Sequence, residues 1–153
     1  MLKKLNKQKE GFTIIEVLIV LAIAGLIMLI VFLAVPALQR NSRNTRRRND
    51  VATYLGAINE FISNNNGALP STAAHITTVN GLANSGFLTE PTAAPSAPPQ
   101  SGAIGVDTFQ VVTGAKCDTV TIGNAVAGSS RQFVLRFAVE DSSGAAVPQC
   151  SDS

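Results

Sequence analysis

The sequence predicts an α+β fold in which a long N-terminal helix packs on a small antiparallel sheet of three to four strands. Residues 12–38 form an apolar run long enough for a membrane-spanning helix. A helical stripe of apolar residues follows, and segments that alternate apolar and polar residues lie near the C-terminus. The length of 153 residues suits one membrane element plus one small domain.

The apolar run contains a single charged side chain, Glu16, close to its start. A carboxylate at the centre of a membrane helix costs roughly 2.5–3.5 kcal/mol, so this one needs a cationic partner. The run offers none, and the nearest lysines precede Gly11. Cleavage after Gly11 would create a new amine at Phe12. On a neighbouring copy of the chain, this amine would be a cationic partner for Glu16.

Gly25 and Pro36 weaken the helix, and Pro36 predicts a kink near residues 32–36.

The second half of the helix, residues 39–66, is predicted to be amphipathic. Its apolar stripe has the spacing of one helix face and consists of Val51, Tyr54, Leu55, Ile58 and Ile62. The Asn64–Gly67 segment should end the helix, with Gly67 in a left-handed conformation.

Residues 67–103 form a connecting region rich in Pro, Ala, Ser and Gly. We expect a short helix or turn over Val79–Leu88 and an extended, exposed strap over Pro91–Pro99. The alternative is an interdomain linker. We favour the strap because the roughly 50 residues that follow are marginal as an independent fold.

Residues 104–153 carry the strand signals. Apolar and polar residues alternate over Phe109–Thr113, Thr119–Ile122 and Gln132–Glu140. Turn-like segments lie at Gly123–Ser130 and Asp141–Gly144. We expect an antiparallel sheet that lays one apolar face on the stripe of the helix.

The part of the chain at residues 49–153, here called the head, contains both cysteines, Cys117 and Cys150. In an exported domain such a pair is most simply one disulfide, and two buried free thiols are the alternative. A closed loop of this size would contribute about 4 kcal/mol of stability.

His75 stands alone, so we expect no metal site. Without a nucleophile motif, a phosphate loop or a paired-acid motif, we expect no catalytic residue, no cofactor and no enzymatic activity.

Residues 9–23 read Lys-Glu-Gly-Phe-Thr-Ile-Ile-Glu-Val-Leu-Ile-Val-Leu-Ala-Ile. This stretch strongly resembles the prepilin signal of type IV pilins and pseudopilins. The resemblance implies that residues 1–11 are a leader removed by prepilin peptidase between Gly11 and Phe12, and that Phe12 is N-methylated. It also implies that Glu16 pairs with the Phe12 amine of a neighbouring subunit during assembly. The alternatives for Glu16 are its own Phe12 amine and a carboxylate that reaches to the membrane interface.

Charge is divided between a basic segment and an acidic head. Residues 49–153 hold three basic and eight acidic residues, a net of −5, which is not the profile of a dedicated nucleic-acid binder. A basic collar follows the apolar run and consists of Arg40, Arg43, Arg46, Arg47 and Arg48. We expect it to be solvated and to touch anionic lipid headgroups before assembly. Pairing with acidic heads of adjacent subunits is the alternative, and DNA contact along a filament is a further one.

The resemblance implies a structural role, as the subunit of a type IV pilus filament that serves adhesion, twitching motility or DNA uptake. Expected partners are further copies of the chain, prepilin peptidase, a platform protein, an assembly ATPase and, before assembly, the membrane. The leader would face the cytoplasm and the head the outside, and the assembled pilus would lie on the bacterial surface. A disulfide-bounded section at residues 117–150 resembles true pilins more than pseudopilins. A minor pilin, a secretion or competence pseudopilin, and a non-assembling signal-anchored protein remain the alternatives.

Overall fold

The computed structural model describes residues 11–84 and 86–153. The predicted leader lysines therefore lie outside the described residues. The chain divides into two compact units, of which the first ends at Leu38 and the second is Gln39–Ser153. The expected α+β class with a long N-terminal helix and a small antiparallel sheet is confirmed.

Helix α1 runs from Ile14 to Asn64 and includes both Gly25 and Pro36 without interruption. The kink expected at Pro36 stays a prediction. The helix ends as the sequence indicates, because Asn66 and Gly67 adopt left-handed φ values of 54° and 84°. The Gly67 amide then donates to the Ile62 carbonyl over 2.9 Å, which satisfies one of the carbonyls left open at a helix end.

A second helix, α2, spans Ala73–Ala83, so the short helix expected over Val79–Leu88 begins and ends earlier than predicted. The Thr72 side chain accepts a hydrogen bond from the His75 amide at 3.2 Å and so caps its N-terminus. Asn84 ends it in a left-handed conformation with φ 43°. The cap at Thr72 explains the earlier start. Its side chain satisfies a free backbone amide of the first turn, so the helix can begin at Ala73 rather than at Val79.

The strands are β1 Phe109–Thr113, β2 Ala115–Cys117, β3 Ala125–Ala127, β4 Phe133–Glu140 and β5 Ala146–Asp152. They form two antiparallel sheets. The larger sheet has the order β1-β4-β5, and the smaller is a hairpin of β2 and β3.

The strand expected over Thr119–Ile122 is wrong. These residues form the turn between β2 and β3, and Val120 is 88% and Ile122 73% exposed. The alternation predicted a half-buried strand, but no surface in the described residues covers its apolar face. The segment expected to be a turn, Gly123–Ser130, instead contains β3. Strand β5 was not predicted, because Pro148 and its polar neighbours give it no alternating pattern.

The core lies between the amphipathic half of α1, helix α2 and the larger sheet. The predicted stripe is confirmed, with Tyr54 and Ile58 at 0% exposure, and Phe61 joins it. Strand β4 supplies Leu135 and its odd-numbered neighbours to this core. Its opposite face is buried as well, where Val134 packs with residues of the β2–β3 hairpin.

The Pro-rich strap lies along the edge of β1. The Ser96 amide donates to the Val111 carbonyl over 3.0 Å, and the Thr113 amide donates to the Ser96 carbonyl over 3.1 Å. Farther on, Gln100 and Ala125 exchange backbone hydrogen bonds of 2.8 and 2.9 Å. The strap therefore occupies the β1 edge that would otherwise be open to pairing with another chain.

Candidate functional site

The site predicted for cleavage and assembly lies at the start of α1, in the sequence Gly11–Glu16. The Thr13 amide and the Thr13 hydroxyl both donate to Glu16 Oε2 over 2.8 Å, and the Glu16 amide approaches Thr13 Oγ1 at 3.3 Å. This reciprocal pattern is a capping box, in which a hydroxyl side chain and a carboxylate satisfy the free amides of the first helical turn. The Thr-x-x-Glu spacing was available in the sequence as a signal for it.

The bond between Gly11 and Phe12 precedes the first helical residue, Ile14. Both residues are exposed, and Phe12 is 89% exposed. A non-helical, accessible backbone suits binding in the active site of a peptidase, and Gly11 allows close approach because it has no side chain.

The first unit has apolar side chains that the described chain does not cover. Helix α1 contains an apolar window long enough to cross a membrane, and none of that window is buried. The small residues Ala22, Ala24 and Gly25 are exposed with the large ones. Such a surface is stable only in lipid or against other apolar helices, which small residues allow to approach closely.

The arginines of the predicted collar divide into two groups. Arg47 is 1% exposed, and Arg43 lies partly buried beside it. Both bind Glu140 at the end of β4, with Arg43 Nη2 at 2.5 Å from Oε2 and Arg47 Nη2 at 2.8 Å from Oε1. The solvated collar is therefore wrong for Arg47, whereas the Arg43 side chain pairs with Glu140 and stays 40% exposed. Arg46 and Arg48 are exposed, as that prediction required, and Arg40 is half-buried.

Glu140 collects further hydrogen bonds from α1. Arg43 Nε donates to Oε1 over 3.1 Å, and Asn44 exchanges hydrogen bonds with the Glu140 backbone at 2.8 Å in both directions. The Arg43 hydrogen bonds, with a smaller contribution from Arg47, lower the pKa of the Glu140 carboxyl to about 2. Sequence reasoning missed Glu140 because its partners lie more than 90 residues away.

Cys117 of β2 and Cys150 of β5 form a disulfide, as predicted, with their Cα atoms 5.7 Å apart. The Cys117 amide also donates to Asp152 Oδ1 over 2.6 Å. The disulfide fastens the β2–β3 hairpin to the edge strand of the larger sheet.

His75 lies at the start of α2. The centroid of its ring is 5.2 Å from that of the Phe61 ring, and its Nδ1 accepts a hydrogen bond from the Ser71 amide at 3.2 Å.

Residues 6–32 match the model of the prokaryotic N-terminal methylation motif. The match confirms the resemblance to a prepilin signal, and it covers the predicted cleavage site, Phe12 and Glu16. No curated protein and no solved structure matches the chain. The motif implies processing by prepilin peptidase and handling by pilus assembly machinery in general, and the apolar helix beside it fits membrane anchoring.

Proposed function

We propose that this prepilin-type, type IV pilin-like chain is a structural, non-enzymatic subunit of a type IV pilus filament. The observation that carries the proposal is the methylation motif joined to a helix whose apolar side chains stay exposed. A helix of this kind needs either lipid or other copies around it, and a subunit that passes from membrane to filament uses both in turn.

Cleavage after Gly11 leaves the amine of Phe12, which remains cationic after methylation. Glu16 lies four residues along the chain and is the only charged group of the apolar run. Pairing of this carboxylate with the amine of a neighbouring subunit would fix the register between helices. A desolvated ion pair contributes specificity more surely than net stability, which suits a register device.

The head domain favours a pilus subunit over a pseudopilin. Its disulfide encloses the section from Cys117 to Cys150, an arrangement that resembles true pilins. In this proposal the net-negative heads lie on the outside of a surface filament, which serves adhesion, twitching motility or DNA uptake. The platform protein and the assembly ATPase are the partners that would extract the subunit from the membrane. A minor pilin and a non-assembling anchored protein are the competing functions.

The test is mass spectrometry of intact chains and N-terminal peptides from material sheared off expressing cells. We expect abundant chains that begin at N-methylated Phe12. Processed chains confined to the membrane fraction would instead favour a pseudopilin or minor pilin. Chains that retain residues 1–11 would leave a signal-anchored membrane protein and contradict the proposal.

A further inference from the structure

The chain around the Pro-rich strap is attached to both sheets. Ser96 pairs with the edge of β1, where its backbone hydrogen bonds to Val111 and Thr113 are 3.0 and 3.1 Å long. Directly after the strap, Gln100 exchanges backbone hydrogen bonds with Ala125 of β3. This second attachment belongs to the β2–β3 hairpin and not to the larger sheet. A displacement of the hairpin would therefore pull on the strap.

The β2–β3 hairpin has a small apolar cluster beneath it. Its two strands are three residues long each. The cluster consists of the buried residues Val112, Ala115, Ala125 and Val134. Cys117 and Cys150 pack against it, so the disulfide is both part of this packing and the covalent link to β5. Because so few apolar groups are buried here, we expect the disulfide to supply much of the rigidity of the hairpin.

A buried guanidinium connects the hairpin with the strap region. Arg136 of β4 is 2% exposed and forms no ion pair within the described part of the chain. Its Nε donates to the Gly123 carbonyl in the hairpin turn over 2.6 Å, and its Nη2 donates to the Gly102 carbonyl over 2.8 Å. Its Nη1 donates to Gln110 Oε1 over 3.0 Å. The Gln110 amide group in turn donates to Ser96 Oγ over 2.8 Å.

This network makes the hairpin and the strap depend on each other. A buried charge that loses a hydrogen-bond acceptor is costly, so Arg136 favours the arrangement in which Gly123 and Gly102 both stay in place. If the hairpin turn withdraws, water can enter beside the guanidinium, and the Gly102 carbonyl is then held less firmly. The backbone hydrogen bonds between Gln100 and Ala125 transmit the same displacement directly.

We propose that the disulfide is a redox-sensitive switch that keeps the strap on the edge of β1. Reduction loosens the hairpin, releases residues 100–102 and then Ser96, and so uncovers the β1 edge. An uncovered edge strand can pair with another chain, which the oxidised head prevents. Both cysteines are half-buried, so a small reductant can reach them. The inference goes beyond the proposed function and does not depend on it.

A dithiol is the reductant in this switch. One of its thiolates attacks the Sγ of Cys117 or Cys150 and forms a mixed disulfide, while the other protein sulfur leaves as a thiolate. The second thiol of the reagent then displaces the remaining protein sulfur and closes the reagent's own disulfide. The protein gains two electrons and two protons, and the reagent loses both. The variant Cys117→Ser/Cys150→Ser represents the open form without any reductant.

Amide hydrogen exchange tests the switch, measured residue by residue by NMR on the full chain in detergent, with and without the dithiol. We expect the amides of Ser96, Gln100 and Thr113 to exchange about tenfold faster after reduction, because the strap then opens locally. The Leu88 amide is the internal reference, since it donates to Asp50 Oδ2 of α1 over 2.8 Å. Its exchange should not change. Cys117→Ser/Cys150→Ser should show the same pattern without the dithiol.

Two further variants separate the switch from a general loss of stability. Glu140→Gln is the matched control, because it weakens the head but leaves the contacts of the hairpin and the strap in place. With the disulfide intact, it should leave the exchange of Ser96 and Gln100 unchanged. Arg136→Met removes the guanidinium that joins the two parts. In this variant the same amides should exchange fast already, and reduction should accelerate them by less than about tenfold, because coupled changes are not additive.

The possible outcomes decide the inference. Faster exchange in the hairpin alone, with Ser96 and Gln100 unchanged, would overturn it, because the strap would then be held independently. Equal acceleration at Leu88 and in the strap would also overturn it, since the disulfide would then stabilise the head as a whole. If Arg136→Met does not fold, the comparison of oxidised with reduced wild type still gives the answer.

Discussion

Arg47 and Glu140 lie 93 residues apart in the chain, and Arg47 Nη2 donates to Glu140 Oε1 over 2.8 Å. Their side chains are only 2% and 10% exposed. Arg47 Nε also donates to the Val106 carbonyl over 2.7 Å, and its Nη1 donates to Asn44 Oδ1 over 3.1 Å. The pair therefore fastens the amphipathic half of α1 to the end of β4, with all three nitrogens of the guanidinium hydrogen-bonded.

Glu140→Gln should destabilise the head by about 3 kcal/mol. It leaves the buried Arg47 without its closest counter-charge, and breaking a buried pair from one side costs more than the pair contributes. Thermal unfolding of the full chain in detergent, followed by circular dichroism, measures the change. Glu60→Gln removes the same charge from an exposed position of α1 and should shift the midpoint little. Equal shifts for the two variants would show that the pair does not anchor the helix.

The stability of the head should also fall at low pH. The folded-state pKa of Glu140 is lowered from 4.5 to about 2, chiefly by the Arg43 hydrogen bonds, so folding favours the charged form. The contribution is present above pH 4.5 and is lost progressively as the pH falls toward 2. Unfolding midpoints measured across this range should fall in the wild type and fall less in Glu140→Gln. Parallel curves would mean that other carboxyls cause the loss.

The sequence predicted those parts of the fold that local pattern determines. The stripe around Tyr54, the helix end at Gly67 and strand β4 all follow from spacing or from backbone preference. Strand β5 and the turn at Val120 were missed because their structure depends on what the rest of the chain covers. Pairing with β4 makes a strand of a segment that contains Pro148, and no partner in the described residues does so for Val120.

The candidate site shows the same division. Gly11, Phe12 and Glu16 belong to one short motif, so local sequence was enough to identify them. The collar was predicted as solvated because local sequence does not show which of the five neighbouring arginines have a partner. Burial of Arg47 requires Glu140 and the Val106 carbonyl, which only the folded head brings to it.

Removing the disulfide through Cys117→Ser/Cys150→Ser should cost about 4 kcal/mol, because the bond closes a loop over a sequence separation of 33 residues. The hairpin of β2 and β3 should be the first part to loosen, since its paired strands are short. Amide hydrogen exchange of the full chain reports this regionally. The expected result is that the variant exchanges faster than the wild type at Lys116 and Val126, with a smaller increase in β4. Unchanged exchange in the hairpin would show that its strand pairing is sufficient alone.

The two roles open to Glu16 can be separated by substitution. Its carboxylate caps α1 through Thr13, and in the proposed filament it also pairs with the amine of Phe12. Gln can replace Glu in a capping box but carries no charge. Glu16→Gln should therefore enter the membrane and be cleaved normally, yet yield few or disordered filaments. Glu16→Val loses both roles and should assemble no better.

Thr13→Ala provides the reciprocal variant. It removes the hydroxyl that interacts with Glu16 and costs the helix start about 1 kcal/mol, but it leaves the charge in place. We expect most of the filament yield to survive, because the ion pair remains available. Sheared yield and N-terminal mass spectrometry should be measured on all three variants in parallel. Normal filaments from Glu16→Gln together with loss from Thr13→Ala would assign assembly to the cap and not to the charge.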